Sequence, residues 1–236
     1  MKRSSLSKYF LTGIVIFFIT GYILFPLYSV LKESFTGEGH LFSFEAYKNL
    51  LTGSSAEAVI NSVLLSVLTV TGSGITGVYF AYIFHYHKIP FRSFFSSLLL
   101  IPLATPPLIG VVAFLFLLNE NGLLAKLLTM LFGMNTAMFR FDGWTAIIII
   151  HIYSFYAMFY LFVSSALKKT DMNLIDASYS MGAGRSRTFI KVILPQLIPS
   201  IIGASLITFM ASMASFSAPF IFGGSVKFLS TEIYYA

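Results

Sequence analysis

Long apolar runs without a single carboxylate constrain this chain more than any other feature. They fall at about residues 11–31, 59–84, 93–118, 143–167 and 199–222, and the charged residues gather in the segments between them. About 20 apolar residues, rising about 1.5 Å each, cross the hydrocarbon core of a bilayer. Backbone N–H and C=O groups in that medium must be satisfied within the segment, so the spans are helices. The sequence lacks the apolar–polar alternation of a β-barrel. The expected fold is all-α: a polytopic integral membrane protein with about five transmembrane helices in this chain.

Charge sets the orientation. Only 10% of the residues are charged, against about 25% in a soluble domain. Of the fifteen basic residues, ten fall on one side if the N-terminus is cytoplasmic: Lys2, Arg3, Lys8, Lys88, Arg92, Lys168, Lys169, Arg185, Arg187 and Lys191. Seven of the nine acidic residues then lie outside. Positive charge on the inner side is the rule for membrane proteins, and it accounts for the net charge of +6 without a nucleic-acid partner. The basic N-terminus resembles a secretory signal, but the apolar run behind it is too long and no small-residue cleavage site follows. It reads as an uncleaved span. The absence of cysteine excludes disulfides and thiolate metal sites.

The organisation that follows is an N-terminal tail, first span and external loop over 1–58, a core over 59–222 with a cytoplasmic loop at 168–198, and an external segment over 223–236. An odd number of spans leaves the C-terminus outside, without a polar tail, and a sixth span is expected beyond Ala236. The outer segment 32–58 carries Phe35, Phe42, Phe44 and Tyr47. Residues 123–132 are apolar but too short to span, which fits an interfacial helix.

The cytoplasmic stretch Asp176–Pro195, DASYSMGAGRSRTFIKVILP, is polar, basic and ordered in its spacing. Asp171, Asn173 and Asp176 are helix-start residues. A short helix over about 174–181 is expected to break at Gly182-Ala183-Gly184, where glycine permits positive φ. A second helix over about 185–193 would follow, with Pro195 marking entry to the next span. Small residues on the first helix (Ala177, Ser178, Ser180) would let a partner's backbone approach closely. A solvated connector is the plainer alternative.

These residues resemble the cytoplasmic loop of permease subunits of binding-protein-dependent ATP-binding-cassette importers. That loop reads Glu-Ala-Ala, three residues, Gly, nine residues, Ile-x-Leu-Pro. Here Asp176-Ala177-Ser178 stands for Glu-Ala-Ala, Gly182 follows at the same spacing, and Val192-Ile193-Leu194-Pro195 stands for Ile-x-Leu-Pro. The resemblance covers roughly 59–222. It implies that Asp176, Ala177, Ser178, Gly182, Ala183, Leu194 and Pro195 form or frame a coupling helix that docks on cytoplasmic ATP-binding subunits. It further implies a second permease half (identical, different or fused), an external substrate-binding protein facing the loops 32–58 and 119–142, and a bacterial inner-membrane location. ATP would bind elsewhere, because the chain has no GxxxxGK[ST] loop and the run from Gly182 to Arg185 lacks the Lys-Ser/Thr of a phosphate cradle. No cofactor is implied.

Other residues carry weaker signals. Gly72, Gly74 and Gly77 suit close helix packing or a flexible gate. Pro102, Pro106 and Pro107 interrupt span three, beside a transport path or as a simple kink. His151 is an ionisable residue inside span four, either bonded to a neighbouring helix or lining a polar path. Pro106, Pro107, His151 and Ser215 are the candidate pathway residues. His85 and His87 do not share a helix face and read as interfacial rather than metal-binding. The run Ser215–Gly224 resembles permeases for ferric iron, phosphonates, thiamine and polyamines, with ferric iron the first choice. A secondary transporter would place carboxylates in its spans, and a membrane enzyme would cluster His, Asp and Glu; neither pattern is present.

Overall fold

The computed structural model describes residues 3–36, 43–44, 47–48, 52–119, 122–133 and 141–235. The chain divides into two compact units, Met1–Ala56 and Glu57–Ala236. Among the described residues there is no strand. Five segments are long and apolar enough to cross a membrane: Lys8–Ser34, Ser55–Tyr86, Pro107–Leu127, Gly143–Leu167 and Arg185–Met213.

In the first unit, α1 (Arg3–Phe18) passes through a π-helical turn, Ile19–Leu24, into α2 (Phe25–Ser34). The widened turn has a local cause. Pro26 has no N–H, and its ring would clash with the carbonyl four residues back. Letting the Phe25 N–H reach Thr20 O, five residues back, opens the turn and the helix continues. From Lys8 to Glu33 every side chain is exposed, as a lipid-facing helix requires. Beyond it, Phe35 packs on Phe44 and Tyr47 with ring centroids 5.8 and 5.4 Å away, and the Tyr47 hydroxyl lies 3.1 Å from Ser34 Oγ. Phe42 and other parts of the outer segments 32–58 and 119–142 lie outside the described residues.

The remaining elements are α3 (Gly53–Tyr86), α4 (Arg92–Leu98), α5 (Ile101–Ala104), α6 (Pro107–Leu118), α7 (Leu123–Phe132), α8 (Gly143–Leu167), α9 (Met172–Ser180), α10 (Arg185–Thr188), α11 (Leu194–Met213), α12 (Ser217–Phe222) and α13 (Leu229–Tyr235). α7 coincides with the short apolar run 123–132. It ends at Gly133 in the left-handed region.

Two expected spans differ in form. Span three is not one helix over 93–118 but the pieces α4, α5 and α6. Thr105, ahead of Pro106, is extended with ψ 130°, because the proline ring excludes the helical conformation from the preceding residue. Pro106 then caps α6 and Pro107 opens it. Span five does not begin near 199 or reach 222. It runs unbroken from Arg185 to Met213, so Pro195 is no boundary. A second π-helical turn, Phe189–Ile193, sends the Leu194 N–H to Phe189 O and absorbs Pro195 as the first turn absorbs Pro26. Pro219 belongs to the separate α12.

α8 is the core helix. Its outer half packs Ala146, Ile147 and Ile150 with Leu65, Val111, Ala218, Phe222 and Phe228. Its inner half packs Tyr160, Val163 and Leu167 with Ala81, Ile175, Ile193 and Leu197. Glycines bring α3 against it: a Cβ on Gly77 would stand 2.5 Å from both Tyr156 O and Phe159 Cβ, and one on Gly72 would overlap the Ile152 side chain. The glycines therefore serve close packing.

Candidate functional site

Two polar regions interrupt this apolar architecture. The first is the loop between α8 and span five, for which the charge pattern predicts a cytoplasmic position. α9 starts at Asp171, whose carboxylate accepts the Asn173 N–H at 2.9 Å, satisfying a donor that a helix start leaves open. It ends where the N–H groups of Met181, Gly182 and Ala183 return to the carbonyls of Ala177, Tyr179 and Ser178. Gly182 takes φ +79°, a conformation that costs other residues about 1–2 kcal/mol.

Three contacts fix α9 against span five. Ile175 is buried in the inner core with Ile193 and Leu197. The hydroxyls of Ser178 and Thr188, both buried, lie 2.9 Å apart. The Asp171 N–H donates to Gln196 Oε1 at 3.3 Å. Ser178 therefore faces inward and is not part of an outward small-residue surface. Asp176, Ala177, Gly182 and Pro195 are exposed, while Ala183 and Leu194 are half-buried.

The face of this short helix opposite Ile175 and Ser178 carries Asn173, Asp176, Ala177 and Ser180, all exposed, and its two flanks carry large apolar side chains that the small residues did not foretell. Met172, Leu174, Tyr179 and Met181 are 52%, 51%, 46% and 82% exposed. Met172 and Tyr179 lie on one flank and Leu174 and Met181 on the other; a groove of about 560 Å³ opens on the second flank, lined by Leu174, Ala177, Met181 and Ala183 together with Arg187 and Lys191.

The second region is a polar layer between the two apolar cores. His151 is 1% exposed. Its Nδ1 lies 3.0 Å from Thr69 Oγ1 and 3.1 Å from Ser212 Oγ, and its Nε2 lies 3.0 Å from Ser215 Oγ. One imidazole thus joins α3, α8 and α11 to the break that follows α11. Ser215 sits in that break, and its carbonyl accepts the Ser230 hydroxyl at 2.7 Å. The partners of His151 were not foreseen, although a signal exists: Ser62, Ser66, Thr69 and Ser73 recur at helical spacing on one face of α3, and all are buried.

A cavity of about 210 Å³ adjoins this layer, lined in part by Pro102, Thr105, Pro107, His151, Tyr153 and Ser215. Of the candidate pathway residues, Pro107, His151 and Ser215 meet here; Pro106 is not among the lining residues. Among the described residues the donor set is one imidazole with hydroxyls and no carboxylate, which suits cohesion between helices rather than acid–base chemistry. Among the described residues there is no group of three or more His, Cys, Asp or Glu able to hold a metal ion.

Comparison with known proteins gives a consistent picture. The family model described as "Binding-protein-dependent transport system inner membrane component" matches residues 73–235. A putative ferric transport system permease protein, FbpB 1 of Haemophilus influenzae, is 29% identical over 94% of this chain and 35% of its own length. The chain thus spans about a third of the length of the ferric-transport relatives it matches. The molybdenum transport system permease protein ModB of Escherichia coli is 29% identical over 75% of this chain and 76% of its own length. Among solved structures, a bacterial alginate ABC transporter in complex with alginate pentasaccharide-bound periplasmic protein superposes with a TM-score of 0.75, at 17% identity, over 99% of this chain and 83% of the other.

Proposed function

The chain belongs to the family of binding-protein-dependent transport system inner membrane components, and from that premise we propose that α9 is the surface through which cytoplasmic ATP-binding subunits drive its membrane helices. It is a multi-pass inner-membrane protein and a transport component, not an enzyme. One observation carries the docking assignment: α9 stands outside the membrane spans with Asp176 and Ala177 exposed and Leu174 and Met181 exposed beside them, while its opposite face is bolted to span five through Ile175, Ser178 and Asp171. A partner seated on that surface would push on span five directly. ATP-driven closure of two such partners would then rock two permease halves between inward- and outward-facing states, a rigid-body transition of a common type. An external binding protein would deliver the substrate to the outer loops.

For the substrate, ferric iron is the first reading, because ferric-transport permeases match 94% of this chain. Molybdate is the second, because ModB matches at the same 29% identity over most of its own length. Binding of ferric ion and of molybdate to the cognate external binding protein separates the two.

The docking assignment is tested by co-purification with the cognate ATP-binding subunit. Asp176→Lys and Leu174→Asp should abolish the complex while the chain still inserts in the membrane. Retention of the complex in both variants would overturn the assignment.

A further inference from the structure

At the inner end of the bundle lies a pocket apart from both α9 and the polar layer. It measures about 440 Å³ and is lined by Ala81, Phe84, His85, Arg92, Ser93, Ser96, Tyr160, Ser164 and Lys168. Its polar groups come from three separate elements: His85 from the last turn of α3, Arg92, Ser93 and Ser96 from α4, and Tyr160, Ser164 and Lys168 from α8 and its end.

The charge balance in this pocket is unusual. A guanidinium, an ammonium and an imidazole converge on one space, and among the described residues no carboxylate lines it. The two acidic residues of the inner face are placed elsewhere, since Asp171 caps α9 and Asp176 is exposed on it. Snorkelling toward the water interface accounts for basic residues lying separately around a bundle, but it does not bring three onto one cavity. Like charges at close range destabilise one another unless a counter-charge lies between them. The donors match one kind of counter-charge. A guanidinium fork, an ammonium and hydroxyls are the groups that recognise tetrahedral oxyanions, and basic pockets between transmembrane helices on the cytoplasmic side hold lipid headgroups.

We propose that this pocket binds a phosphate-class oxyanion, contributed by an anionic phospholipid of the inner leaflet or by a free tetrahedral oxyanion from the cytoplasm. Bound there, the anion ties the inner end of α3 to α4 and to the end of α8, three residues before the cap of the coupling helix.

The test uses the full chain, purified and delipidated, in two arms. In the first, it is exposed to mixed micelles of phosphatidylglycerol and phosphatidylcholine, and retained lipid is counted by native mass spectrometry. In the second, its thermal unfolding is followed in inorganic phosphate and in chloride at equal ionic strength. Selective retention of phosphatidylglycerol identifies the lipid source, and a selective upward shift in phosphate identifies the free anion. In either arm Arg92→Gln and Lys168→Gln should weaken the effect roughly tenfold, the consequence of losing one charge-assisted hydrogen bond. Lys168→Arg should restore it, which excludes a folding defect. Lys8→Gln, removing an inner charge elsewhere, should leave it intact. If neither phosphatidylglycerol nor phosphate distinguishes the wild type from Arg92→Gln and Lys168→Gln, the proposal fails.

Discussion

The cytoplasmic loop and the polar layer are built from the same residue types and behave oppositely. In the loop, hydrogen bonds join residues 2, 10 and 25 positions apart, and one side of the helix they shape is left bare. In the layer, the bonds of His151 reach residues 82, 61 and 64 positions away, and the imidazole is buried. Two of the loop's bonds, both at Asp171, are exposed and hold a shape against solvent, where an alternative partner is always at hand; the Ser178–Thr188 bond is buried. Long-range bonds in an apolar interior hold helices together, because a freed hydroxyl there finds little else to bond. The first region is thus suited to transmit force without governing stability, and the second to govern stability without touching a partner.

That contrast is open to breakage. Gly182→Val puts a β-branched residue at φ +79°, which the turn accommodates only by shifting α9. Substrate-stimulated ATP hydrolysis by the assembled importer is expected to fall at least about tenfold, since force must pass through a displaced helix, with the unfolding midpoint nearly unchanged. A comparable loss of stability would erase the distinction between the two regions. His151→Ala tests the other side. It removes three interhelical bonds worth about 0.6 kcal/mol each in membranes and leaves a void among Thr69, Ser212 and Ser215. A destabilisation of about 2–4 kcal/mol is expected, read by unfolding in detergent. Wild-type stability with lost transport would instead make His151 a pathway residue.

A smaller effect separates cohesion by glycine from cohesion by hydrogen bonding. Gly77→Ala places a methyl 2.5 Å from the Tyr156 carbonyl and from Phe159 Cβ, and backbone cannot yield as a flexible side chain can. Forcing α3 off α8 should cost about 1–3 kcal/mol, measured in the same unfolding assay. An unchanged midpoint would show that the two helices slide past each other freely.

The two regions also differ in how far the sequence foretold them. Helix spacing, an N-capping Asp171 and a turn at Gly182 are readable because the chemistry acts across a few residues. The expected helix over 174–181 is observed at Met172–Ser180. The inward turn of Ser178 was not readable, since it depends on Thr188 arriving from the next helix. The five apolar spans were legible from their lack of carboxylates, but their ends were not, because proline has two outcomes. Pro26 and Pro195 are absorbed where the preceding turn widens to i−5 bonding. Thr105-Pro106-Pro107 cannot do this: two adjacent prolines remove two N–H groups and hold Thr105 extended. His151 stood out as a lone ionisable residue in a span, yet nothing local names Thr69 or Ser212 as its partners.

The smallest effect is the most discriminating, because its sign is at issue. Thr208 and Ser73 lie one helical turn from Ser212 and Thr69, and their hydroxyls are buried without a partner among the described residues. An unsatisfied buried hydroxyl costs about 1–3 kcal/mol, whereas a methyl of the same shape costs nothing there. If the layer's stabilising power resides in the bonds of His151 and not in polarity as such, Thr208→Val should raise the unfolding midpoint by up to about 1 kcal/mol equivalent, while Thr69→Val, which deprives Nδ1 of one partner, lowers it. A fall in stability for Thr208→Val of the same size as for Thr69→Val would show that the hydroxyl of Thr208 is bonded in the membrane, and would extend the layer from His151 toward the inner core.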